Sequence, residues 1–221
     1  LNGDLPFIDY WLVRGPLLDY MQAIFFYIFG VNWQSYVLHA SSINALITIS
    51  TFFVLKNFKL KTIYCFFYSL LFSMLAYPSS GTPFADQHSA FFSLLGIYSL
   101  LLAINNQRKI YWVLIPVFLG FAFLSKQVPA SYVILSVSFI LLLYSFINNK
   151  FDCIKYPLIS SVFFVLFVLI FGKFQGITFS SFLDQYIFYP QTVGVERIKN
   201  FNFTFNGVIA HFKFIYFVDE R

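Results

Sequence analysis

The sequence predicts an all-α integral membrane protein: a polytopic bundle of about six transmembrane helices, with an interfacial helix in its first external loop. Of its 221 residues, 59% are hydrophobic and only 10% are charged, whereas a soluble domain carries roughly a quarter charged residues. Lipid must therefore solvate much of the surface. The apolar runs are continuous rather than alternating, which argues against a β-barrel, and an open sheet would leave backbone groups unpaired in lipid.

Six apolar windows reach, or nearly reach, the roughly 17 to 25 residues that a spanning helix needs. They lie at residues 34–55, 62–77, 88–104, 110–125, 129–147 and 156–172. The second and fourth windows are short and need a few flanking residues. We therefore divide the chain into an external loop with an interfacial helix (1–33), a transmembrane bundle of six helices (34–172), and an external loop with the start of a further, truncated helix (173–221).

The distribution of charge indicates how the chain crosses the membrane. Three short loops carry half of the 14 basic residues, namely Lys56, Lys59, Lys61, Arg108, Lys109, Lys150 and Lys155. By the positive-inside rule these loops face the cytoplasm, and every acid except Asp152 then falls on the external face. The net charge of +5 is thus explained by topology, and we expect no nucleic-acid partner.

The segment 16–29 predicts a helix that lies in the membrane interface. Its apolar residues recur with the helical period, at Leu17, Leu18, Met21, Ile24, Phe25 and Ile28. Pro16 suits the first turn of such a helix and Gly30 suits its end. Asp9 and Arg14 precede it and Asp19 lies within it, an unusual density of charge for so apolar a chain.

Charged side chains on the external face are the first candidates for function, because ionisable groups near lipid are costly. Arg14 could grip a phosphate through its planar guanidinium, or anchor the chain among lipid headgroups. Asp86 could accept a proton from an acceptor hydroxyl, or stabilise the start of a helix through the helix dipole. Lys126 could neutralise a phosphate, or extend to water.

Other polar residues allow two interpretations as well. His39 shares a helical face with Ser35 and Ser42 that we expect to look into the bundle, where a paired structural histidine is commoner than a catalytic one. The stretch 189–201, which contains Arg197, has the polar and aromatic mixture of an external loop over a site, and equally suits a solvated loop.

The sequence contains no metal-spaced set of His and Cys, no Gly-rich phosphate loop and no nucleophile elbow. Cys65 and Cys153 have no CxxC spacing, and we interpret them as small buried hydrophobic residues. Asn44 is expected to hydrogen-bond between helices. We therefore expect no metal site in this chain.

The order of these features resembles the polytopic GT-C glycosyltransferases, particularly the bacterial branch akin to protein mannosyltransferases and the lipid A aminoarabinose transferase. The run GDLPFIDYWLVRGPLLDYMQAIFFYIFG is similar to that family's first external loop and interfacial helix. Asp86 in FADQHSAFFSLL matches an acid that opens a helix after a second external loop. Lys126 in GFAFLSKQVPA matches a later lysine segment, so that the resemblance covers about residues 3–145.

The resemblance implies transfer of a sugar from a polyprenyl-phosphate donor to a glycan, lipid or protein acceptor. The reaction would occur on the periplasmic or external face of a bacterial inner membrane, with no certain cofactor and at most weak assistance by a divalent metal. The candidate residues are, by role, Asp86 and Asp9 for catalysis, Arg14 and Lys126 for the donor phosphate, and His88, His39 and Arg197 for substrate.

Two departures from the family pattern matter. The family's principal catalytic acid usually follows a first transmembrane helix, which is missing here, so we expect the chain to be an internal fragment in which Asp9 and Asp4 are only neighbouring substitutes. An Arg commonly stands where His39 falls. Two other classes stay open: a transporter or flippase of a lipid-linked or anionic substrate, and a non-catalytic subunit of an envelope assembly.

Overall fold

The computed structural model describes residues 3–78 and 80–199, and these residues contain no β-strand. The helices are, in chain order, α1 (Leu17–Phe29), α2 (Trp33–Asn57), α3 (Thr62–Ala76), α4 (Ala85–Asn106), α5 (Lys109–Ser125), α6 (Gln127–Asn148), α7 (Asp152–Phe174), α8 (Phe179–Leu183) and α9 (Tyr189–Lys199). A π-helical turn, Asp184–Phe188, joins α8 to α9. The predicted all-α fold is confirmed.

Each of the six predicted apolar windows forms one helix, from α2 to α7. Within the described ranges, α2, α4, α6 and α7 are long and apolar enough to cross a membrane. α3 and α5, with 15 and 17 residues, correspond to the two short windows. A continuous apolar run favours a helix because lipid offers no partner for backbone N–H and C=O groups. The protein is therefore an integral membrane protein.

α4 is the most enclosed of the long helices. It packs against α2, α5 and α6, and 56% of its most apolar stretch is buried, compared with 11% for α7. α7 packs on α5 and α6 and leaves the rest of its surface outside the bundle. The helix that carries Asp86 in its first turn is therefore packed against three other helices.

A single residue, Lys126, separates α5 from α6. Its backbone is extended (φ −160°, ψ 138°), and it ends one helix and begins the next. Val128 is also non-helical, with φ −112° and ψ 127°. The chain therefore reverses between Ser125 and Pro129, and the cation of Lys126 stands directly on this turn.

α1 begins after Pro16 and ends at Gly30, as the sequence predicts. Its apolar residues divide into two groups, because Leu18 is 4% exposed whereas Ile24 and Ile28 are 57% and 62% exposed. The buried side packs on α2 and α5. The exposed side is available to lipid, which is the arrangement expected of an amphipathic surface helix.

Two smaller predictions are confirmed. Nδ2 of Asn44 donates a hydrogen bond to the Ser73 carbonyl at 3.0 Å and so links α2 to α3. Cys65 and Cys153 are both buried free thiols.

The prediction that Ser42 looks into the bundle is wrong. Ser35 and His39 are buried, but Ser42 is exposed. The buried stripe of α2 continues from His39 through Asn44 and Ile47, because α2 faces α3 and α4. Ser42 lies on the other side of His39 and outside this stripe.

The solvated loop suggested at 189–201 is also not what forms, because its described part is the helix α9, Tyr189–Lys199. The residue before a proline usually leaves the helical region, yet Tyr189 is helical. Here Pro190 follows the π-helical turn, whose looser hydrogen-bond pattern has room for a residue without an N–H.

Candidate functional site

The loop before α1 is bound by its backbone to the turn between α5 and α6. The N–H of Gly15 donates to the Ser125 carbonyl at 3.0 Å, and Nε2 of Gln127 donates to the Val13 carbonyl at 3.0 Å. A Cβ at Gly15 would lie 1.7 Å from a carbonyl oxygen of α5, so only glycine permits this approach. Arg14 therefore stands between two fixed backbone positions.

The other side of this loop is fixed by the π-helical turn. Oε1 of Gln185 accepts the N–H of Leu12 at 2.9 Å, and its Nε2 donates to the Phe7 carbonyl at 3.1 Å. Tyr186 is buried against Phe7 and Leu12, and its hydroxyl donates to the Phe123 carbonyl of α5. Burial raises the pKa of Tyr186, so it serves as a neutral donor. The first loop is thus fixed on one side by the turn between α5 and α6 and on the other side by the π-helical turn.

Arg14 forms an ion pair with Asp19, in the first turn of α1. Nη2 of Arg14 lies 2.7 Å from Oδ1 of Asp19, and the two side chains are 51% and 22% exposed. The hydroxyl of Tyr10 donates to the other carboxylate oxygen at 3.3 Å. Burial and, next, the Asp19 carboxylate raise the pKa of Tyr10 to about 12. An exposed pair of this kind is worth about 0–1 kcal/mol, so Arg14 can exchange its carboxylate for another anion at little cost.

Lys126 forms an ion pair with Asp86, in the first turn of α4. Nζ of Lys126 lies 2.5 Å from Oδ1 of Asp86, and the side chains are 38% and 68% exposed. Oγ of Ser89 donates to the Lys126 carbonyl at 3.1 Å, so both partners are tied to α4. The part of the chain that the structure describes holds these two ion pairs. We call this end of the bundle the paired end.

A chain of buried polar side chains joins α1, α2 and α4 beside the paired end. His39 and His88 are both 0% exposed, and their Nε2 atoms are 3.1 Å apart. Nδ1 of His88 lies 2.9 Å from the Phe84 carbonyl oxygen, and Nδ1 of His39 lies 2.8 Å from Oε1 of Gln22. Phe25 stacks on the His39 ring with centroids 4.8 Å apart. His39 is thus a buried, paired histidine, as predicted.

The positions of the hydrogens along this row of buried side chains follow from the groups at its two ends. Burial favours neutral imidazoles, and the Phe84 carbonyl only accepts, so Nδ1 of His88 donates to it and Nε2 of His88 accepts from Nε2 of His39. Nδ1 of His39 must then accept in turn. The amide nitrogen of Gln22, which has no other partner among the described residues, supplies that hydrogen once the amide is rotated by half a turn. In this arrangement His39, His88 and Gln22 together clamp α4 to α1 through α2.

Two predicted site residues lie apart from these contacts. Oδ2 of Asp9 accepts the N–H of Leu5 at 2.7 Å, so this carboxylate shapes a local turn and is otherwise exposed. Arg197 belongs to α9, but its side chain falls outside the described residues, as does the helix predicted beyond residue 199.

Four residues that the sequence analysis did not select hold the site together: Asp19, Gln22, Gln127 and Gln185. The signal for Asp19 was its distance of five residues from Arg14 across the start of a helix. The glutamines had a weaker signal. Each is an amide within an apolar stretch, where a polar group needs a partner, but the sequence does not say which one.

An apolar cavity of about 510 Å³ opens beside α1. Its rim includes Pro16 and Leu17, which follow Arg14 closely in the chain, and Lys173 at the end of α7. Tyr20 also lines the cavity, and its hydroxyl is buried without a hydrogen-bond partner in the described part of the chain. The remaining wall is almost entirely aromatic and aliphatic. The cavity therefore suits a long apolar group whose polar end lies at the paired end.

A second apolar cavity of about 540 Å³ adjoins the first between α5, α6 and α7. The two cavities share wall residues, including Phe164, Phe179 and Phe182. The second extends to Ile154 and Pro157 in the first turns of α7. Together they form a continuous apolar surface along much of the length of the bundle.

A divalent metal has no evident ligand set at this site. Within residues 3–78 and 80–199, no three His, Cys, Asp or Glu side chains are grouped so as to hold a metal ion. The carboxylates of Asp19 and Asp86 are each engaged by a cation.

Comparison with known proteins places this arrangement in a family. Residues 13–172 match the dolichyl-phosphate-mannose-protein mannosyltransferase family, a segment that contains both ion pairs and the two clamping histidines. No curated protein and no solved structure matches the chain. The family match spans well over half of the 221 residues, and it supports membrane glycosyltransferase activity. The chain therefore belongs to the dolichyl-phosphate-mannose-protein mannosyltransferase family.

Proposed function

We propose that the protein transfers a sugar from a polyprenyl-phosphate carrier to an acceptor at the paired end of the bundle. The observation that carries this proposal is the apolar cavity of about 510 Å³, whose rim begins at Pro16, close to Arg14. A polyprenyl chain needs an apolar surface, and its phosphate needs cations at the membrane boundary. The cavity offers the apolar surface, and Arg14, two residues before Pro16 on its rim, offers a cation beside it.

The donor phosphate is bound by cations that exchange partners. Arg14 and Lys126 contact single carboxylates in partly exposed ion pairs. A phosphate offers more acceptor oxygens than one carboxylate, and a guanidinium can engage two of them at once. Lys173 is a third candidate, because it lines the cavity rim and forms no ion pair among the described residues. The hydroxyl of Tyr20 can donate to the same headgroup.

The chemical step is a displacement at the anomeric carbon of the sugar. The acceptor oxygen forms a bond to this carbon while the bond from the carbon to the phosphate oxygen breaks, so the carrier leaves as polyprenyl phosphate. The acceptor proton passes to a carboxylate acting as general base. Asp86 suits this role because its side chain is 68% exposed and it loses its partner when Lys126 turns to the phosphate. Asp9 is a second, exposed candidate.

His39 and His88 serve the site without touching the substrate. Both are fully buried, so we assign them to holding α1, which carries Asp19, against α4, which carries Asp86. Arg197 stays a candidate for substrate binding on the basis of the sequence alone.

We further propose that the paired end faces the periplasm or exterior, with the bundle in a bacterial inner membrane. The support is the charge of the opposite end, where the segments around the α2–α3, α4–α5 and α6–α7 turns contain half of the 14 basic residues. Such loops are retained on the cytoplasmic side. A lipid-linked sugar would then be consumed in the outer leaflet.

The test is an assay of the complete protein in liposomes that contain radiolabelled polyprenyl-phosphate sugars and an external acceptor. Appearance of the label on the acceptor supports the proposed function. Movement of intact donor between leaflets without bond cleavage would instead show a flippase, a function that the apolar surface along α5 to α7 could also serve. If the assay detected neither transfer nor movement for any donor offered, that result would favour a non-catalytic subunit.

A further inference from the structure

A polar cleft of about 450 Å³ lies at the end of the bundle away from Arg14 and Asp86. It is formed by the end of α4, the start of α5 and the turn between α6 and α7. α5 runs from this cleft to the paired end, a distance of about 25 Å at 1.5 Å per residue. We call this end, with the loops that follow α2, α4 and α6, the basic end.

Two lysines face the cleft and lack a carboxylate partner. Nζ of Lys150 donates to Oε1 of Gln107 at 3.2 Å, and Nζ of Lys109 lies 5.5 Å from the centre of the Tyr156 ring. Neither forms an ion pair among the described residues. Asp152 also lines the cleft, and its charge acts on Lys109 without forming an ion pair with it. It stands in the first turn of α7, where the helix dipole stabilises its charge. Both cations therefore keep the capacity to bind an anion.

The cleft adjoins an apolar groove between α6 and α7. This groove of about 340 Å³ is lined by aliphatic and aromatic residues such as Leu142, Phe146 and Ile154. Phe151 lines both the cleft and the groove. A ligand that fills both must carry an anionic head on an apolar chain. A soluble phosphate or an acidic peptide would leave the groove exposed.

The position of the cleft identifies the source of such a ligand. It lies at the end of spanning helices, where lipid headgroups are expected, and the half-buried Tyr156 lines it as aromatic residues do at membrane boundaries. Basic pockets between transmembrane helices are suited to anionic headgroups. We propose that this cleft binds the phosphate of an anionic phospholipid from the adjacent leaflet, with one acyl chain in the groove.

This site is independent of the donor site, because it lies at the other end of the bundle and shares no residue with the paired end. Its binding requires neither the reaction nor a particular orientation of the protein, since either leaflet supplies anionic lipid. The expected consequence is that one lipid stays bound after purification and holds the α4–α5 and α6–α7 turns together.

The test is native mass spectrometry of the complete protein in detergent, with added phosphatidylglycerol or phosphatidylcholine of identical acyl chains. We expect preferential retention of phosphatidylglycerol. The double variant Lys109→Ala, Lys150→Ala should lower that retention about tenfold or more, since each lysine near an anionic headgroup contributes to binding. The variant Lys109→Arg, Lys150→Arg keeps both charges and should retain the lipid, which separates loss of charge from loss of fold.

The matched control is Lys59→Ala, Lys61→Ala, which removes two charges from the basic end without touching the cleft. Equal loss of lipid in this control would show a general charge effect and overturn the site. Unchanged retention in Lys109→Ala, Lys150→Ala, or equal retention of phosphatidylcholine, would overturn it as well. If inorganic phosphate, or phosphatidylglycerol with six-carbon chains, displaced the long-chain lipid at equal concentration, the groove would play no part and the lipid assignment would fail.

Discussion

The two ends of the bundle use charge in different ways. At the paired end, Arg14 and Lys126 each meet a carboxylate, Asp19 and Asp86, at 2.7 and 2.5 Å. Arg14 stands on a loop that is bonded to the turn between α5 and α6, where Lys126 lies, and to the π-helical turn. The charges therefore have fixed positions and defined partners before any substrate arrives.

At the basic end, the cations meet neutral groups instead. Lys150 contacts an amide and Lys109 lies over an aromatic ring. The difference indicates two uses of positive charge. Paired cations can exchange one anion for another during a reaction, because little net charge is added or removed. Cations without carboxylates attract the anionic lipids of a leaflet and set the orientation of the chain.

The largest effect is expected from the carboxylate of the Lys126 pair. Asp86→Asn keeps the shape of the side chain but removes its ability to take a proton, so kcat for sugar transfer should fall by about 100-fold to 10,000-fold. Initial rates with saturating donor and acceptor measure this. Asp184→Asn is the matched control, because Asp184 is an exposed acid at the start of the π-helical turn. Comparable rates for both variants would show that Asp86 is not the general base and only stabilises the start of α4.

The next effect concerns the backbone that positions the Arg14 pair. In Gly15→Ala the new Cβ would meet a carbonyl oxygen of α5 at 1.7 Å, so the loop must move by an ångström or more. Misplacement on this scale costs on the order of 100-fold in rate. Gly194→Ala, where nothing lies within 4 Å of the added carbon, is the control. Full activity of Gly15→Ala would mean that the anchored loop is unnecessary.

Arg14→Ala should raise the KM for the polyprenyl-phosphate donor about 10-fold to 100-fold, because a charged hydrogen bond to phosphate is lost. The acceptor KM should change little. Arg108→Ala removes the same charge from the basic end and should leave both constants within about twofold. Arg108→Ala therefore distinguishes a local effect of Arg14 from a general electrostatic effect, because a general effect would raise the donor KM equally in both variants.

The histidine clamp should affect stability more than chemistry. His39→Ala leaves the facing nitrogen of His88 buried without its partner, so the free energy of unfolding should fall by about 1–3 kcal/mol. Thermal unfolding in detergent measures this. Ser42→Ala, on the exposed side of the same helix, should stay within about 0.5 kcal/mol of the original protein. Equal stability of the two variants would show that the contact between His39 and His88 does not stabilise the fold.

The smallest effect is a pH dependence at the Arg14 pair. The pKa of Tyr10 is raised from 10.0 to about 12, so the folded state keeps this proton where the unfolded chain has lost it. The stability contribution is therefore fully present below pH 10 and is lost as the pH rises towards 12. Tyr10→Phe should remove this dependence, and Asp19→Asn should lower the pKa. NMR titration of labelled tyrosine checks both, and a pKa near 10 in the original protein would contradict the contact.

The helices could be predicted from the sequence because their causes are local. The windows 34–55 and 129–147 differ by only a few residues from α2 (Trp33–Asn57) and α6 (Gln127–Asn148). In lipid, an unbroken apolar run has hardly any alternative to a helix. The bounds of α1 were equally local, because Pro16 and Gly30 favour a start and an end.

The contacts within the site could not be predicted in the same way. The nitrogens of His39 and His88 meet although 49 residues separate them, and Gln185 reaches Leu12 across 173 residues. Such pairings depend on how helices cross, which periodicity does not contain. Arg14 shows the same limit at short range. Asp9 and Asp19 both lie five residues away, and only the folded loop shows that Asp19 is its partner.

The turn at Lys126 has a consequence for engineering. Because a single residue joins α5 to α6 and its neighbours bond to the first loop, the turn has no spare length. An epitope or reporter inserted at this position would move the ammonium group of Lys126 away from α4. It would also break the hydrogen bonds that hold the loop carrying Arg14. Labels for topology mapping are therefore better placed between α3 and α4.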